Sequence, residues 1–175
     1  MWHLSIIAQV KNKEGKIVKT AVFPGTFDPL TLGHFDLIKR SSKIFDKVLL
    51  TVCESPAKHC LFSFEDRIEM AKKAVADLDN VEAVGWRGTL PDFLKERQAT
   101  ILIRGVRTVA DYDYEKSLSG MYHMVMPEVE IVMLPASGDL SFISSTFVRD
   151  LIIHKGEIEH FVPKSVSDKA QELFY

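Results

Sequence analysis

The chain has 175 residues, of which 46% are apolar and 26% are charged, a composition ordinary for a globular domain. The formal net charge of −2 gives no electrostatic footprint for nucleic acid or an anionic membrane. The two cysteines, Cys53 and Cys60, are too few for a disulfide framework or a cysteine zinc site. No apolar run is long enough to span a membrane, and the start of the chain lacks a signal-peptide pattern. We therefore expect one cytoplasmic domain.

Residues 1–19 precede every recognisable motif of the chain. Ser5–Val10, the polar residues 11–16 and Ile17-Val18 could form a hairpin added to a sheet edge, or the segment before Ile17 could be disordered. We expect residues 1–19 to be an N-terminal extension without a functional role, and residues 20–175 to be the domain.

The most informative stretch is FPGTFDPLTLGH, Phe23–His34. The apolar run before it predicts a buried strand that stops at Pro24-Gly25. The loop that follows leads to His34, at the front of a predicted helix with Phe35, Leu37, Ile38, Ile44 and Phe45 on its apolar face. A strand, a glycine-bearing loop and a helix start form a natural seat for phosphate, because free N–H groups and the positive dipole end point at it.

From Lys47 onward, predicted strands alternate with predicted helices. The strands are Val48–Val52, Val81–Val84, Thr100–Ile103 and Val129–Leu134. The helices run from the Ser63 capping box to Leu78, then over Pro91–Arg97, Asp111–Val125, Ser144–His154 and Ser165–Phe174. This alternation predicts an α/β fold with a single Rossmann-like domain, in which a parallel sheet carries helices on both faces.

Ligands of such sheets bind outside the carboxyl ends of the strands, so the residues after each strand indicate the site. These residues are rich in cations and hydroxyl groups: Thr26, His34, Lys58, Arg104, Arg107 and Ser144-Ser145-Thr146. Such a rim suits a polyphosphate ligand. Taken alone, Lys58 could be an ordinary solvated lysine, Arg104 a strand-end residue, and the hydroxyl cluster a helix cap.

Two motifs carry a resemblance to known proteins. Thr31-Leu32-Gly33-His34 resembles the TxGH signature of the nucleotidyltransferase superfamily, and neither a Walker loop nor GxGxxG occurs in the chain. The block RGVRTVADYDYE, residues 104–115, resembles the phosphopantetheine adenylyltransferases, as do SPAK at residues 55–58 and FISST at residues 142–146.

The resemblance implies adenylyl transfer from ATP to 4′-phosphopantetheine, by in-line attack and without a covalent enzyme intermediate. It implies that Thr26, His34, Lys58 and Arg104 are catalytic, and that Thr26, Lys58, Leu90 and Arg104 bind the acceptor. The ATP site implied by the resemblance comprises Thr26, Phe27, His34, Gly105, Val106, Arg107, Glu115, Leu140, Ser141, Phe142, Ile143, Ser144, Ser145 and Thr146. Mg²⁺ would travel with ATP rather than bind a protein cage. The resemblance also implies a homohexamer and leaves room for feedback binding of coenzyme A.

The chain departs from that family at Tyr122-His123, where family members usually carry an Asn followed by a basic residue. The family's Asn helps to bind the pantetheine arm, so the departure concerns that part of the pocket. Two other hypotheses stay open at this stage. One is a different nucleotidyltransferase, acting on nicotinamide mononucleotide or a glycerol phosphate, and the other is a catalytically silent nucleotide sensor on the same fold.

Overall fold

A computed structural model describes residue 15 and residues 18–57 and 59–175 of the chain. The hairpin considered for the N-terminal extension and the predicted site residue Lys58 lie outside the described residues. No helix in the described ranges is long and apolar enough to cross a membrane.

One parallel sheet of five strands, in the order β3-β2-β1-β4-β5, organises the part of the chain that the structure describes. The strands are β1 Thr20–Gly25, β2 Lys47–Cys53, β3 Val81–Trp86, β4 Ile101–Val106 and β5 Glu130–Pro135. The strand order reverses between β1 and β4, which is where a doubly wound sheet opens its ligand crevice. The predicted α/β fold is confirmed.

The helices follow the strands in chain order and begin close to the predicted positions. They are α1 Leu32–Ser41, α2 Phe64–Ala74, α3 Leu90–Glu96, α4 Val109–Val125, α5 Ser145–Ile153 and α6 Lys164–Phe174. Each of the first five starts after a Ser or Thr whose hydroxyl accepts a backbone N–H of the first turn. A short 3₁₀ turn, Gly138–Leu140, lies between β5 and α5.

Alternate side chains of the strands enter apolar cores on opposite faces of the sheet. Ala21 and Phe23 of β1 belong to a core shared with α1, α2, α5 and α6. Val22 points to the other face, where it joins a smaller core that includes Phe93 of α3 and Met126 after α4. The period of two along the strands produces this division, and the prediction of helices on both faces is confirmed.

Strands β1 to β4 all extend further than the sequence predicts, and the extensions of β1 and β4 bear on the site. β1 continues through Pro24-Gly25, which pair with β2, whereas its pairing with β4 is confined to Ala21 and Val22. Proline has no N–H to donate, but pairing on one side alone keeps it within the strand. β4 continues through Arg104-Gly105 to Val106 because it pairs with β5 over its whole length. Arg104 is therefore a strand residue and not part of the loop after the strand.

The first helix is shorter than its apolar pattern predicts. α1 ends at Ser41, and Ile44, which the pattern assigns to the buried face, is 57% exposed. Phe45 is buried, but it lies in the turn that leads to β2. The apolar spacing continues past the end of the helix because the connecting turn also packs on the core.

Candidate active site

A cavity of about 970 Å³ lies at the carboxyl ends of the strands, at the reversal point between β1 and β4. Its lining includes the ends of β1, β2 and β4 and the starts of α1, α3 and α5. The first turns of α1 and α5 both reach the cavity, so two positive helix ends lie in its wall. This arrangement favours an anionic ligand.

The glycine of the PGTF motif makes room for an aromatic side chain that supports the histidine. A Cβ on Gly25 would lie 2.7 Å from the ring of Phe27. Phe27 adopts a φ of 48°, an uncommon conformation for a bulky residue. The rings of Phe27 and His34 meet edge to face, with centroids 5.2 Å apart. The loop backbone and this ring contact together fix the position of His34.

The hydrogen bonds of His34 identify its tautomer. The backbone N–H of Thr31 donates to Nδ1 of His34 at 3.1 Å, so that nitrogen is an acceptor. In return, the backbone N–H of His34 donates to Oγ1 of Thr31 at 3.4 Å, which completes a capping box at the start of α1. A neutral imidazole carries its proton on the other nitrogen. His34 therefore offers an Nε2–H donor to the cavity.

The surroundings of His34 keep the ring neutral. Burial, followed by the positive charge of Arg107, lowers the pKa of His34 from 6.5 to about 4. The positive end of the α1 dipole favours the neutral ring as well. The main cause, however, is loss of hydration.

Arg104 and Glu115 form a two-pronged ion pair in the wall of the cavity. Nε and Nη2 of Arg104 donate to the two carboxylate oxygens of Glu115, both at 2.6 Å. Burial disfavours the charged guanidinium, but the hydrogen bonds and charge of Glu115 raise the pKa of Arg104. Nη1 takes no part in this pair, so Arg104 keeps donors for a ligand while its plane is held.

Two further arginines of the described lining are also held by carboxylates. Nε of Arg107 donates to Asp111 at 3.1 Å, and that carboxylate also accepts the backbone N–H of Arg107. Nη1 of Arg149 donates to the carbonyl of Asp28 at 2.7 Å and lies 3.7 Å from its carboxylate. The cavity thus presents oriented guanidinium groups rather than mobile cations.

Asp28 lines the cavity and has a structural role there. Its carboxylate is 4% exposed and accepts the backbone N–H groups of Leu61 and Phe62, both at 2.9 Å. These bonds tie the loop after β1 to the segment that leads to α2. With both oxygens engaged in this way, Asp28 is poorly placed to act as a general base.

The segment between β5 and α5 packs directly on the start of α1. A Cβ on Gly33 would lie 3.2 Å from the carbonyl oxygen of Leu140, so the glycine of the TxGH motif permits this approach. The hydroxyl of Ser145 donates to the carbonyl of Pro29 at 2.8 Å. The start of α1 with the loop before it, and the segment after β5 with the start of α5, therefore form one continuous wall.

The structure brings most of the predicted site residues into this cavity. Those in its lining are Thr26, Phe27, His34, Leu90, Arg104, Gly105, Arg107, Glu115, Leu140, Ile143, Ser144, Ser145 and Thr146. Val106, Ser141 and Phe142 are absent from the described lining, and the Phe142 side chain is 86% exposed. The roles of all these residues stay predictions.

Arg149 lines the cavity although it is not among the site residues predicted from the sequence. This residue lies one helical turn after Thr146, and its Nη2 donates to the Thr146 hydroxyl at 3.1 Å. The spacing in the sequence could have indicated Arg149, because residues three apart on a helix share a face and Thr146 was already a predicted site residue. Tyr114 and Tyr122 also line the cavity.

Comparisons with known proteins identify the family of the chain. The cytidylyltransferase-like family matches residues 22–151. A phosphopantetheine adenylyltransferase of Tolumonas auensis is 51% identical over 154 residues, which cover 87% of this chain and 94% of that protein. A solved structure from Vibrio parahaemolyticus, described as a nicotinate-nucleotide adenylyltransferase, matches with a TM-score of 0.68 over 89% of this chain and 93% of that one. At 20% identity, that last likeness concerns the fold.

The fold and the matched residues define a protein of the cytidylyltransferase-like class. Within that class, the identity over most of both chains shows that the chain belongs to the phosphopantetheine adenylyltransferases.

Proposed function

We propose that the protein transfers the adenylyl group of ATP to 4′-phosphopantetheine, forming dephospho-CoA and pyrophosphate in coenzyme A synthesis. The observation that carries this proposal is the convergence of two helix N-termini and three oriented arginines on one cavity of the described chain. Its 51% identity to a phosphopantetheine adenylyltransferase supports the choice of acceptor.

The chemistry is a direct displacement. A phosphate oxygen of the acceptor attacks the α-phosphorus of ATP while the bond to pyrophosphate breaks, so no enzyme-bound intermediate forms. Such reactions depend on positioning and on stabilising the charge that spreads over the phosphate oxygens. The Nε2–H of His34 serves as a preorganised donor to that charge, because its tautomer is already fixed by Thr31.

The two substrates occupy different parts of the cavity in this proposal. Lys58 and Arg104 hold the acceptor phosphate, Thr26 orients it, and Leu90 lines the pantetheine arm. ATP lies against Phe27, Gly105–Arg107 and Glu115, with the Leu140–Thr146 segment over its phosphates. The approach of the backbone at Leu140 to Gly33 supports that arrangement, because it joins the phosphate-binding loop to the helix that carries His34.

Transfer from ATP by such enzymes generally uses a divalent metal ion, and we propose Mg²⁺. No cluster of three or more His, Cys, Asp or Glu side chains suited to a metal ion occurs among the described residues. Mg²⁺ would therefore bind the phosphate oxygens of ATP and water, the ligands that this hard cation prefers. When bound with ATP, the ion would neutralise charge on the phosphates, and the arginines and His34 would orient them.

We propose that the chain assembles as a homohexamer, with α4 in a subunit interface. Glu115 is the one buried residue of α4, whose 17 residues are all described. Its exposed apolar side chains include Val109, Tyr114, Met121, Met124 and Val125. Met121, Met124 and Val125 follow helical spacing, which favours a contact with another helix. Sedimentation of the wild-type protein should give a hexamer. Met124→Glu should shift the population to smaller species, because it places a charge in the proposed interface. A monomeric wild-type protein would contradict the assembly.

We further propose that the enzyme works in the cytoplasm, where its substrate ATP is available, and that coenzyme A binds the same cavity as a feedback ligand. Coenzyme A shares the pantetheine arm and the adenylyl group of the reaction product. It should therefore compete with both substrates, which inhibition kinetics would reveal.

An acceptor panel tests the reaction itself. Pyrophosphate release from Mg-ATP is measured with 4′-phosphopantetheine, pantetheine, nicotinamide mononucleotide and glycerol phosphate. We expect rapid release only with 4′-phosphopantetheine, because pantetheine leaves the cations of the acceptor site without their phosphate partner. Faster transfer to nicotinamide mononucleotide would overturn the proposal, as would ATP binding without pyrophosphate release for any acceptor.

A further inference from the structure

Arg67 is a buried cation that the reaction scheme above does not use. It lies in the first turn of α2 and is 3% exposed. Its guanidinium is charged at any ordinary pH, and a cation near a helix start is disfavoured by the helix dipole. A buried charge normally has a charged partner. Arg67 therefore needs a structural explanation.

The partners of Arg67 are backbone carbonyls rather than carboxylates. Its Nη1 donates to the carbonyl of Thr26 at 2.6 Å and to the carbonyl of Cys53 at 3.2 Å. No ion pair joins it to a carboxylate of the described residues, and its Nε has no hydrogen-bond partner among them. The guanidinium lies 5.5 Å from the ring centroid of Phe64. Its positive charge is thus solvated by dipoles and is not cancelled.

The two carbonyls belong to the part of the cavity assigned to the acceptor. Thr26 follows β1, Cys53 ends β2, and both line the cavity, whereas Arg67 lies behind them and outside the lining. Burial raises the pKa of the Cys53 thiol, while a hydrogen bond from the backbone of Gly25 and the charges of Arg104 and Arg67 oppose that rise. Both guanidinium groups therefore act electrostatically on this end of the cavity.

We infer that Arg67 is a positioning residue for the acceptor phosphate. It holds the backbone of Thr26 against the end of β2 and supplies an uncancelled positive charge behind the acceptor site. A charge in a poorly hydrated region acts over a longer distance than one in water, so it favours the phosphate dianion without touching it. The inference rests on the proposed function, because it takes the acceptor to be a phosphate.

The test compares Arg67→Met with Arg67→Lys and with Arg97→Met as a matched control. Arg97 also lies over an aromatic ring, 5.4 Å from the Phe93 centroid, but it is outside the cavity lining. Dissociation constants are measured for 4′-phosphopantetheine, pantetheine and ATP. We expect Arg67→Met to weaken 4′-phosphopantetheine by about tenfold, and pantetheine and ATP by less than about threefold. Arg97→Met should change none of them.

A second readout separates the charge from a loss of packing. In a Cys60→Ser background, the pH dependence of iodoacetamide alkylation reports the Cys53 thiol. Arg67→Met should raise that pKa further, whereas Arg67→Lys should leave it near the original value because the charge is kept. Arg67→Lys should still weaken 4′-phosphopantetheine severalfold, since the shorter lysine side chain does not place a donor where Nη1 reaches both carbonyls. This variant decides the matter if Arg67→Met does not fold.

Equal losses for ATP, pantetheine and 4′-phosphopantetheine in the Arg67 variants would overturn the inference, because they indicate a general loosening of the cavity. Unchanged affinity for 4′-phosphopantetheine would overturn it as well. The proposed function fails differently, since the unmodified protein would then form no dephospho-CoA. If the unmodified enzyme forms dephospho-CoA but the Arg67 variants weaken all three ligands equally, the inference about Arg67 fails and the proposed function stands.

Discussion

The hydroxyl of Ser137 donates to Oδ2 of Asp36 at 2.7 Å and joins two segments that are 101 positions apart in the chain. Arg40 reinforces the junction, because its Nη1 donates to Asp36 at 3.2 Å and to the carbonyl of Pro135 at 2.7 Å. Asp36 and Arg40 belong to α1, two and six positions after His34. The helix that presents His34 therefore also anchors the start of the segment proposed to bind the ATP phosphates.

This junction predicts that Ser137→Ala raises the KM for ATP about fivefold, the effect of one hydrogen bond of about 1 kcal/mol. The KM for 4′-phosphopantetheine should change less, since its proposed site lies on the other side of the cavity. Ser167→Ala is the matched control, because that hydroxyl donates to the carbonyl of Lys164 on α6. Steady-state kinetics with each substrate varied in turn would measure both effects. An equal rise in both KM values would assign Ser137 a general structural role.

Tyr122 gives a second prediction, which concerns the acceptor. This tyrosine replaces an Asn usual in the family, lines the cavity and packs against the core formed with α3. Tyr122→Asn should change the KM for 4′-phosphopantetheine more than the KM for ATP and leave kcat largely intact. Such a pattern indicates altered ground-state binding. Tyr112→Asn on the same helix is the control, since Tyr112 is 47% exposed and lies outside the described lining. An effect confined to ATP would place Tyr122 away from the pantetheine arm.

The fold could be predicted because the spacing of apolar residues within each segment distinguishes strands from helices without knowledge of the rest of the chain. The strand at Val48–Val52 and the helix start at Ser63 are visible in the sequence and occur in the structure. The Ser63 hydroxyl caps the helix, but the predicted capping box is incomplete, because the Asp66 carboxylate accepts that hydroxyl and not the Ser63 backbone N–H.

The strand ends were wrong where pairing with a neighbouring strand extended the element. Arg104 belongs to β4 because Met133 of β5 lies beside it, and nothing in the residues around Arg104 encodes that partner. The helices α1 and α2 end at Ser41 and Ala74, earlier than their apolar spacing predicts, because the turns after them also pack on the core.

The site could be predicted as a set of residue types but not as a set of contacts. A rim of arginines at strand ends follows from the alternation of strands and helices. The pairing of Arg104 with Glu115 depends on how α4 returns over β4, and the burial of Arg67 depends on how α2 packs behind the loop after β1. Tertiary packing determines both, so neither has a signature in local sequence.

The lowered pKa of His34 predicts a titration that is directly observable. In the absence of substrates, the ring resonances of His34 should stay those of a neutral imidazole through pH 6.5 and titrate near pH 4. Binding of ATP should move the titration upward, because phosphate charge favours the imidazolium. His34→Gln identifies the resonance by its loss. A midpoint near 6.5 in the free protein would show that the ring is well hydrated and would contradict the burial described here.

The same pKa predicts how stability depends on pH. The unfolded chain binds a proton at His34 near pH 6.5, whereas the folded chain does so only near pH 4. Between these values the unfolded state holds more protons, so stability is full above pH 6.5 and falls as the pH drops toward 4. Denaturant unfolding of the wild-type protein and His34→Gln should therefore show free energies of unfolding that converge on acidification. Parallel curves would exclude a contribution from His34.

Substitution of His34 tests the centre of the proposed mechanism. Negative charge grows on the oxygens around the α-phosphorus and on the leaving pyrophosphate, and the Nε2–H of His34 is the fixed donor available to it. Loss of one such preorganised donor typically lowers turnover by about 10²–10³-fold, while ground-state binding changes much less. We therefore expect His34→Ala to lower kcat by at least that amount and to weaken ATP binding only slightly.

The capping box complicates this experiment in a predictable way. His34→Ala also removes the acceptor of the Thr31 N–H, so the start of α1 should lose about 1 kcal/mol of stability and the Tm should fall.

His34→Asn keeps a side chain that can donate, and it should recover part of kcat although it cannot become cationic. Thr31→Ala is the control, because it removes the hydroxyl cap, which also lies 2.9 Å from Nδ1 of His34, but keeps the imidazole and the backbone N–H that donates to it. Turnover is compared per folded molecule, with ATP binding measured by calorimetry on the same preparations. If His34→Ala and Thr31→Ala lose the same stability but only His34→Ala loses turnover, the imidazole acts on the transition state. Near-normal kcat in folded His34→Ala would remove this histidine from the mechanism.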